Sequence, residues 1–86
     1  MSNTGRPTGK QLMRLLELDG WQRGGRRTHG VFFHKQFPGE YLPRSTVIPD
    51  KSFPLPDRLL GVILSVKQTG LGKDGLNDLI KKHGLG

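Results

Sequence analysis

The stretch WQRGGRRTHGVFFHKQF, residues 21–37, decides the fold of this 86-residue chain. Its second half, residues 28–37, is rich in Phe and Val, which favour β-structure, and predicts a central strand. Its first half, residues 21–27, is basic and contains Gly24 and Gly25. This composition suits a first strand that runs into a tight turn, where a phosphate can approach a backbone without Cβ atoms.

A helix is predicted ahead of these strands and a third strand behind them. Thr8 and Gln11 have the spacing of a capping box, in which a hydroxyl and an amide side chain each satisfy a backbone N–H at a helix start. Leucines follow at helical spacing, and Gly20 can take the left-handed conformation that ends a helix. After a loop marked by Pro and Gly, residues 45–49 form the predicted third strand.

Two more helices are predicted towards the C-terminus. Pro56 suits a first helical position, and the apolar residues after Asp57 predict a core helix that ends near Gly70. A short third helix follows, with cationic residues in its last turn and Gly84 as its stop. The sequence therefore predicts an α+β fold.

The charge of the chain points to a polyanionic partner. Lys and Arg number 14 against 7 Asp and Glu, which gives a net charge of +7 and favours phosphate neutralisation on a nucleic acid. The alternative is a basic surface that only keeps the protein in solution. Cysteine is absent, which excludes disulfides and thiolate chemistry and fits the reducing cytoplasm. No apolar run reaches the roughly 18 residues of a membrane span, so we expect no membrane partner.

Among the three histidines, His29 is the best candidate for acid–base chemistry. His83 lies at a predicted helix end, where the helix dipole explains a cation. His34 alternates along a strand, sharing one face with Phe32, while His29 is expected on the face of Val31 and Phe33; a lone histidine on a strand is usually packing or surface. His29 alone follows a run of arginines and glycines that can hold phosphate beside an imidazole. The alternative is a histidine that only touches phosphate.

Other catalytic chemistries find little support in the sequence. The carboxylates are scattered and no histidine pair has metal-ligand spacing, so we expect neither a metal nor another cofactor. The nucleophile elbow Gly-x-Ser-x-Gly, phosphate-loop and dinucleotide-binding patterns do not occur. RNA cleavage needs a group that removes the 2′-hydroxyl proton, cations that stabilise charge on the phosphate and an acid for the leaving oxygen, and His29 with the neighbouring Arg and Lys residues supplies most of this.

Several motifs in order resemble the HicA (YcfA-like) toxins. They are LLELDGW at 15–21, RTHG at 27–30, VFFH at 31–34, TVIP at 46–49 and LLGVILSVKQTGL at 59–71. The resemblance covers residues 8–71 and leaves 1–7 as a flexible leader and 72–86 as a C-terminal helical extension. It departs from the family where Arg27-Thr28 replace Gly-Ser, Gly30 replaces a second His, and Asp50-Lys51 follow the strand-three Pro.

The resemblance implies a fold like that of double-stranded-RNA-binding domains. This fold is α-β-β-β-α, with a three-stranded antiparallel sheet and helices on one face. It also implies an endoribonuclease (mRNA interferase) that inhibits translation, and a HicB-like antitoxin as partner. The family's catalytic histidine corresponds to His29. We expect RNA contacts from the following residues: Lys10, Arg23, Arg26, Arg27, Thr28 and Lys35.

Two other classes of function stay open at this point. A non-catalytic RNA-binding module would use the same basic turn without cutting. A fragment of a larger complex would dock its positive surface on an acidic protein.

Overall fold

The computed structural model describes residues 6–85 and shows an α+β fold. The elements are α1 (Gly9–Leu18), β1 (Gln22–Arg27), β2 (Gly30–Lys35), β3 (Arg44–Ile48), α2 (Asp57–Leu64) and α3 (Gly72–His83). The strands form one antiparallel sheet in the order β1-β2-β3. The α-β-β-β-α layout predicted from the sequence is confirmed, with α3 following it.

Both ends of α1 are fixed by local hydrogen bonds. The Thr8 hydroxyl accepts from the Gln11 backbone N–H at 3.0 Å, and the Gln11 side chain accepts from the Thr8 N–H at 2.9 Å, so the predicted capping box is confirmed. Gly20 has φ 95°, and the Trp21 N–H bonds back to the Leu16 carbonyl at 2.9 Å. This is the left-handed helix stop that the sequence predicts.

The two faces of the sheet have different environments. Val31, Phe33 and Ile48 are buried on the face that packs against the helices. Phe32 and His34 point to the opposite, more open face of the sheet, where both stay partly exposed. The buried core consists of Leu12, Met13, Leu15, Leu16, Trp21, Val31, Phe33, Ile48, Leu55, Leu60, Ile63, Leu64, Leu76 and Leu79.

The predicted first strand is confirmed as β1 and runs into a tight turn, but two details of the hairpin were predicted wrongly. The glycines do not form the turn, since Gly24 and Gly25 lie inside β1 where the strand register shifts. The chain reverses at Thr28 and His29 instead, because Arg27 pairs with Gly30 and leaves a two-residue connection. His29 is therefore a turn residue and does not share the strand face of Val31 and Phe33.

The predicted end of the core helix is also wrong. Helix α2 ends at Leu64 and not near Gly70, and Val66 is 78% exposed. The chain turns because the Thr69 backbone N–H and hydroxyl both donate to the Ile63 carbonyl, at 3.0 and 2.8 Å. These two donors replace the helical partner that Ile63 would otherwise need.

Replacing Thr69 by Val tests this helix stop. Thr69 is 2% exposed, so the change keeps the side-chain volume and removes a buried hydroxyl that bonds the Ile63 carbonyl. We expect the free energy of unfolding to fall by about 1–2 kcal/mol in denaturant titrations. As a control, Ser65→Ala removes an exposed hydroxyl bond to Val62 and should cost less than about 0.5 kcal/mol. Equal effects would contradict this role for Thr69.

Helix α3 and the start of the described chain complete the core. At 12 residues, α3 exceeds the short helix predicted, buries Leu76 and Leu79, and ends before Gly84, which has φ 77° as expected for its stop. Of the predicted leader, residues 1–5 lie outside the described range, while Pro7 is buried and accepts a bond from the Leu55 N–H at 3.0 Å. Within residues 6–85, no helix has the length and apolar character of a membrane span.

Candidate nucleic-acid interface

His29 lies exposed at the tip of the β1–β2 hairpin. The turn is anchored by Gly30, which is buried against the end of β3. A Cβ atom at Gly30 would lie 2.2 Å from the Ile48 carbonyl oxygen, so only glycine fits this close approach. The imidazole is consequently presented to solvent beside the segment that follows β3.

A three-residue ion cluster lies on that same segment. Lys10 Nζ contacts Asp50 Oδ1 at 2.7 Å, and Arg26 Nη2 contacts Asp50 Oδ2 at 2.9 Å. Helix α1 reaches this position because the Lys10 backbone N–H donates to the Lys51 carbonyl at 3.0 Å. The hydrogen bonds from Arg26 and then Lys10 lower the pKa of Asp50 to about 2. One carboxylate therefore holds two of the predicted RNA-binding cations together.

Acid titration tests the ion cluster. Because the pKa of Asp50 is lower in the folded protein than its ordinary 3.8, its ionised form favours folding. We expect wild type to be more stable than Asp50→Asn above pH about 4, and this advantage to disappear as the pH falls towards 2. Thermal melts of both proteins across this range measure it. A stability difference between the two proteins that stays the same from pH about 4 to 2 would contradict the lowered pKa of Asp50.

Arg27 and Thr28 are the two residues before His29, and both are exposed. The Arg27 guanidinium carbon lies 4.6 Å from the centre of the Phe32 ring, which fixes the side chain on the open face of the sheet. Among residues 6–85, no carboxylate lies within ion-pair distance of Arg27. Its N–H groups are thus available to a phosphate near His29.

Arg23 and Lys35 lie at the other end of the hairpin. Arg23 Nε bonds Glu17 Oε2 at 2.9 Å, and Lys35 Nζ donates to the Asp19 carbonyl at 2.6 Å. At about 3.3 Å per residue, Lys35 is roughly 17 Å along β2 from Gly30. Arg26, Arg27 and Thr28 are therefore chain neighbours of His29, Lys10 shares Asp50 with Arg26, and the other two predicted contacts lie against the end of α1.

The arrangement around His29 offers a proton acceptor next to hydrogen-bond donors. An exposed imidazole can accept or donate a proton, and guanidinium groups can stabilise negative charge on a phosphate. In the part of the chain that the structure describes, His29 has no hydrogen-bond partner that would orient its ring, and no three His, Asp or Glu side chains gather as a metal site.

Several residues of this region were not among the predicted site residues. Lys51 is exposed beside Asp50, and Phe32 and His34 form a stacked pair on the open face of the sheet. The sequence carried a signal for Lys51, since it follows the strand-three Pro. The role of Asp50 has no local signal, because its partners are 40 and 24 residues away in sequence.

Comparisons with known proteins add no relative. No family model, no curated protein and no solved structure matches this chain. The resemblance to HicA toxins therefore rests on sequence motifs alone.

Proposed function

We propose that this protein is a metal-independent endoribonuclease that cleaves mRNA with His29 as general base or acid. The observation that carries the proposal is the exposed imidazole of His29, held at the hairpin tip next to Arg27 and Thr28. The net charge of +7 supports a polyanionic substrate. Among the possible reactions of RNA, this set of groups fits attack by the neighbouring 2′-hydroxyl best, because that reaction needs no separate nucleophile.

In this mechanism His29 removes the proton of the 2′-hydroxyl. The 2′-oxygen attacks the adjacent phosphorus, and the bond to the 5′-oxygen breaks. Arg27 stabilises the charge that develops on the phosphate oxygens, and the Thr28 hydroxyl positions the phosphate. The leaving 5′-oxygen takes a proton from solvent water, and His29 returns the proton it removed to solvent. The products end in a 2′,3′-cyclic phosphate and a 5′-hydroxyl.

The resemblance to HicA toxins supports a place in a toxin–antitoxin pair. A HicB-like antitoxin is the proposed partner, and it would inhibit the protein by covering the hairpin tip. An acidic surface on that partner would complement the cations around His29. Messenger RNA as substrate places the protein in the cytoplasm.

A non-catalytic RNA-binding module is the second candidate. It is favoured by one observation, namely that His29 has no orienting hydrogen bond within residues 6–85. Such a module would use the same cations to bind phosphates without positioning a general base.

Incubation of the purified protein with end-labelled RNA in EDTA distinguishes the two functions. We expect new fragments, because no metal takes part in the proposed reaction. Native gels of the same mixtures report binding. Intact RNA that migrates as a retarded complex would contradict the nuclease and support the binding module.

Replacing Asp50 by Asn tests whether its carboxylate competes with RNA phosphate for Lys10 and Arg26. Releasing both cations should raise RNA affinity several-fold and steepen the salt dependence by up to about 1.4 in log–log slope for single strands. The matched control is Asp57→Asn, which adds the same charge but releases only Arg6, at 3.5 Å. Equal changes in both variants would show a general charge effect and contradict the competition.

A further inference from the structure

The open face of the sheet carries a row of flat side chains. The guanidinium of Arg27 lies over the Phe32 ring at 4.6 Å, and the Phe32 and His34 rings are stacked with centroids 5.6 Å apart and planes at 29°. Phe32 lies over Gly24, where a Cβ atom would come within 2.6 Å of the ring. The glycine in β1 therefore makes room for the ring between Arg27 and His34.

This face is also free of negative charge. The strand register places Gln22 and Ser45 beside His34, and Val47 beside Phe32. None of these residues is acidic, and Arg27 contributes a positive charge beside the Phe32 ring. A cation next to aromatic rings suits a ligand that has both phosphates and flat apolar bases.

A shallow recess of about 320 Å³ continues from this face across the edge of β3. It lies between β3 and α2, and Val47, Val62, Lys67 and Gln68 are among its lining residues. Lys67 is exposed and provides a second cation for a strand that leaves the face in this direction.

We propose that Arg27, Phe32 and His34 form a stacking platform for unpaired bases of RNA. The inference rests on the proposed function and specifies its substrate as single-stranded RNA. Bases in a duplex have their faces covered by neighbouring pairs, whereas unpaired bases stack on aromatic rings and on guanidinium planes. Because Arg27 is two residues from His29, a strand bound on the platform enters the catalytic turn directly.

The test measures RNA affinity in the His29→Ala background, so that the RNA stays intact, with a single-stranded oligoribonucleotide and a duplex of the same sequence. We expect tighter binding of the single strand. The changes Phe32→Leu and His34→Leu should each weaken it roughly tenfold, since a stacked base contributes that order of affinity. His34→Phe keeps a ring and should retain affinity. The matched control is Phe53→Leu, which removes an exposed ring outside this face, next to the Pro54 that pairs with Thr8, and should change affinity less than about twofold.

Binding of the duplex as tight as that of the single strand, or full affinity in both leucine variants, would overturn the platform. Loss of a bound antitoxin in these variants with unchanged RNA affinity would overturn it as well, because the face would then be a protein-binding surface. These outcomes are separate from failure of the nuclease. If wild type cleaves RNA but the leucine variants keep full RNA affinity, only the stacking platform is contradicted. If RNA affinity depends on the rings but wild type does not cleave RNA, only the nuclease is contradicted.

Discussion

His29→Ala is expected to lower the rate of RNA cleavage by about 10²–10⁴-fold, the usual contribution of a positioned general acid or base. The imidazole is exposed in a turn, so its removal should change the free energy of unfolding by less than about 0.5 kcal/mol. RNA affinity should stay within about threefold, because the arginines and Lys10 supply the phosphate contacts. Single-turnover cleavage, denaturant titration and gel retardation measure the three quantities.

The same variant has a cellular readout. Expression of wild type should arrest growth, and His29→Ala should relieve the arrest. The control is His83→Ala, which removes another histidine at the C-terminal end of α3 and should leave the arrest intact. A His29→Ala protein that remains fully toxic would contradict the catalytic assignment.

Gly30→Ala is expected to be the most destabilising change near the site. The new Cβ atom would lie 2.2 Å from the Ile48 carbonyl oxygen and 2.6 Å from its carbon, and both are backbone atoms held by the pairing of β2 with β3. The φ of Gly30 is 155°, which L side chains rarely adopt. We expect a loss of about 3 kcal/mol or more, which lowers Tm by at least about 12 °C in a domain of this size.

Gly61→Ala provides the matched control for Gly30→Ala. Gly61 is an exposed position of α2 with no atom within 4 Å of its Cβ position. Alanine there should raise stability by about 0.5–1 kcal/mol, because glycine is a poor helix former. Thermal melts of both variants give the comparison. A Gly30→Ala protein with the same melting temperature as wild type would contradict the close packing of the turn against β3.

The parts of the fold that the sequence predicted are those with short-range causes. The capping box of Thr8 and Gln11 and the helix end at Gly20 each involve residues close together in sequence. They can therefore be predicted without the tertiary structure. The same is true of the alternation of Val31 and Phe33, which places them together on the buried face. Gly84 also ends α3 as its position predicts.

The errors arose where a side-chain bond that the apolar pattern does not reveal, or a neighbouring strand, decides the conformation. Helix α2 stops early because Thr69 bonds back to Ile63, although the apolar pattern continues to Val66. The turn forms at His29 because the register with β1 sets it, while the β-favouring composition extends the strand further.

The candidate site was predictable only in part for the same reason. His29, Arg27 and Thr28 are adjacent in sequence, so their proximity needs no fold. Asp50 binds Lys10 and Arg26, and the Asp19 carbonyl accepts a hydrogen bond from Lys35. These contacts join residues that are far apart in sequence. Residue type alone predicted these cations as RNA contacts, and only the fold shows which acidic group each one meets.

The chemical ends of the RNA fragments distinguish attack by the 2′-oxygen from attack by water. Wild-type protein in EDTA should produce fragments that end in a 2′,3′-cyclic phosphate and begin with a 5′-hydroxyl, because the 2′-oxygen is the nucleophile that His29 activates. Mass spectrometry of a short cleaved RNA identifies both ends. Fragments with 5′-phosphate and 3′-hydroxyl ends, or RNA that stays intact, would contradict the account.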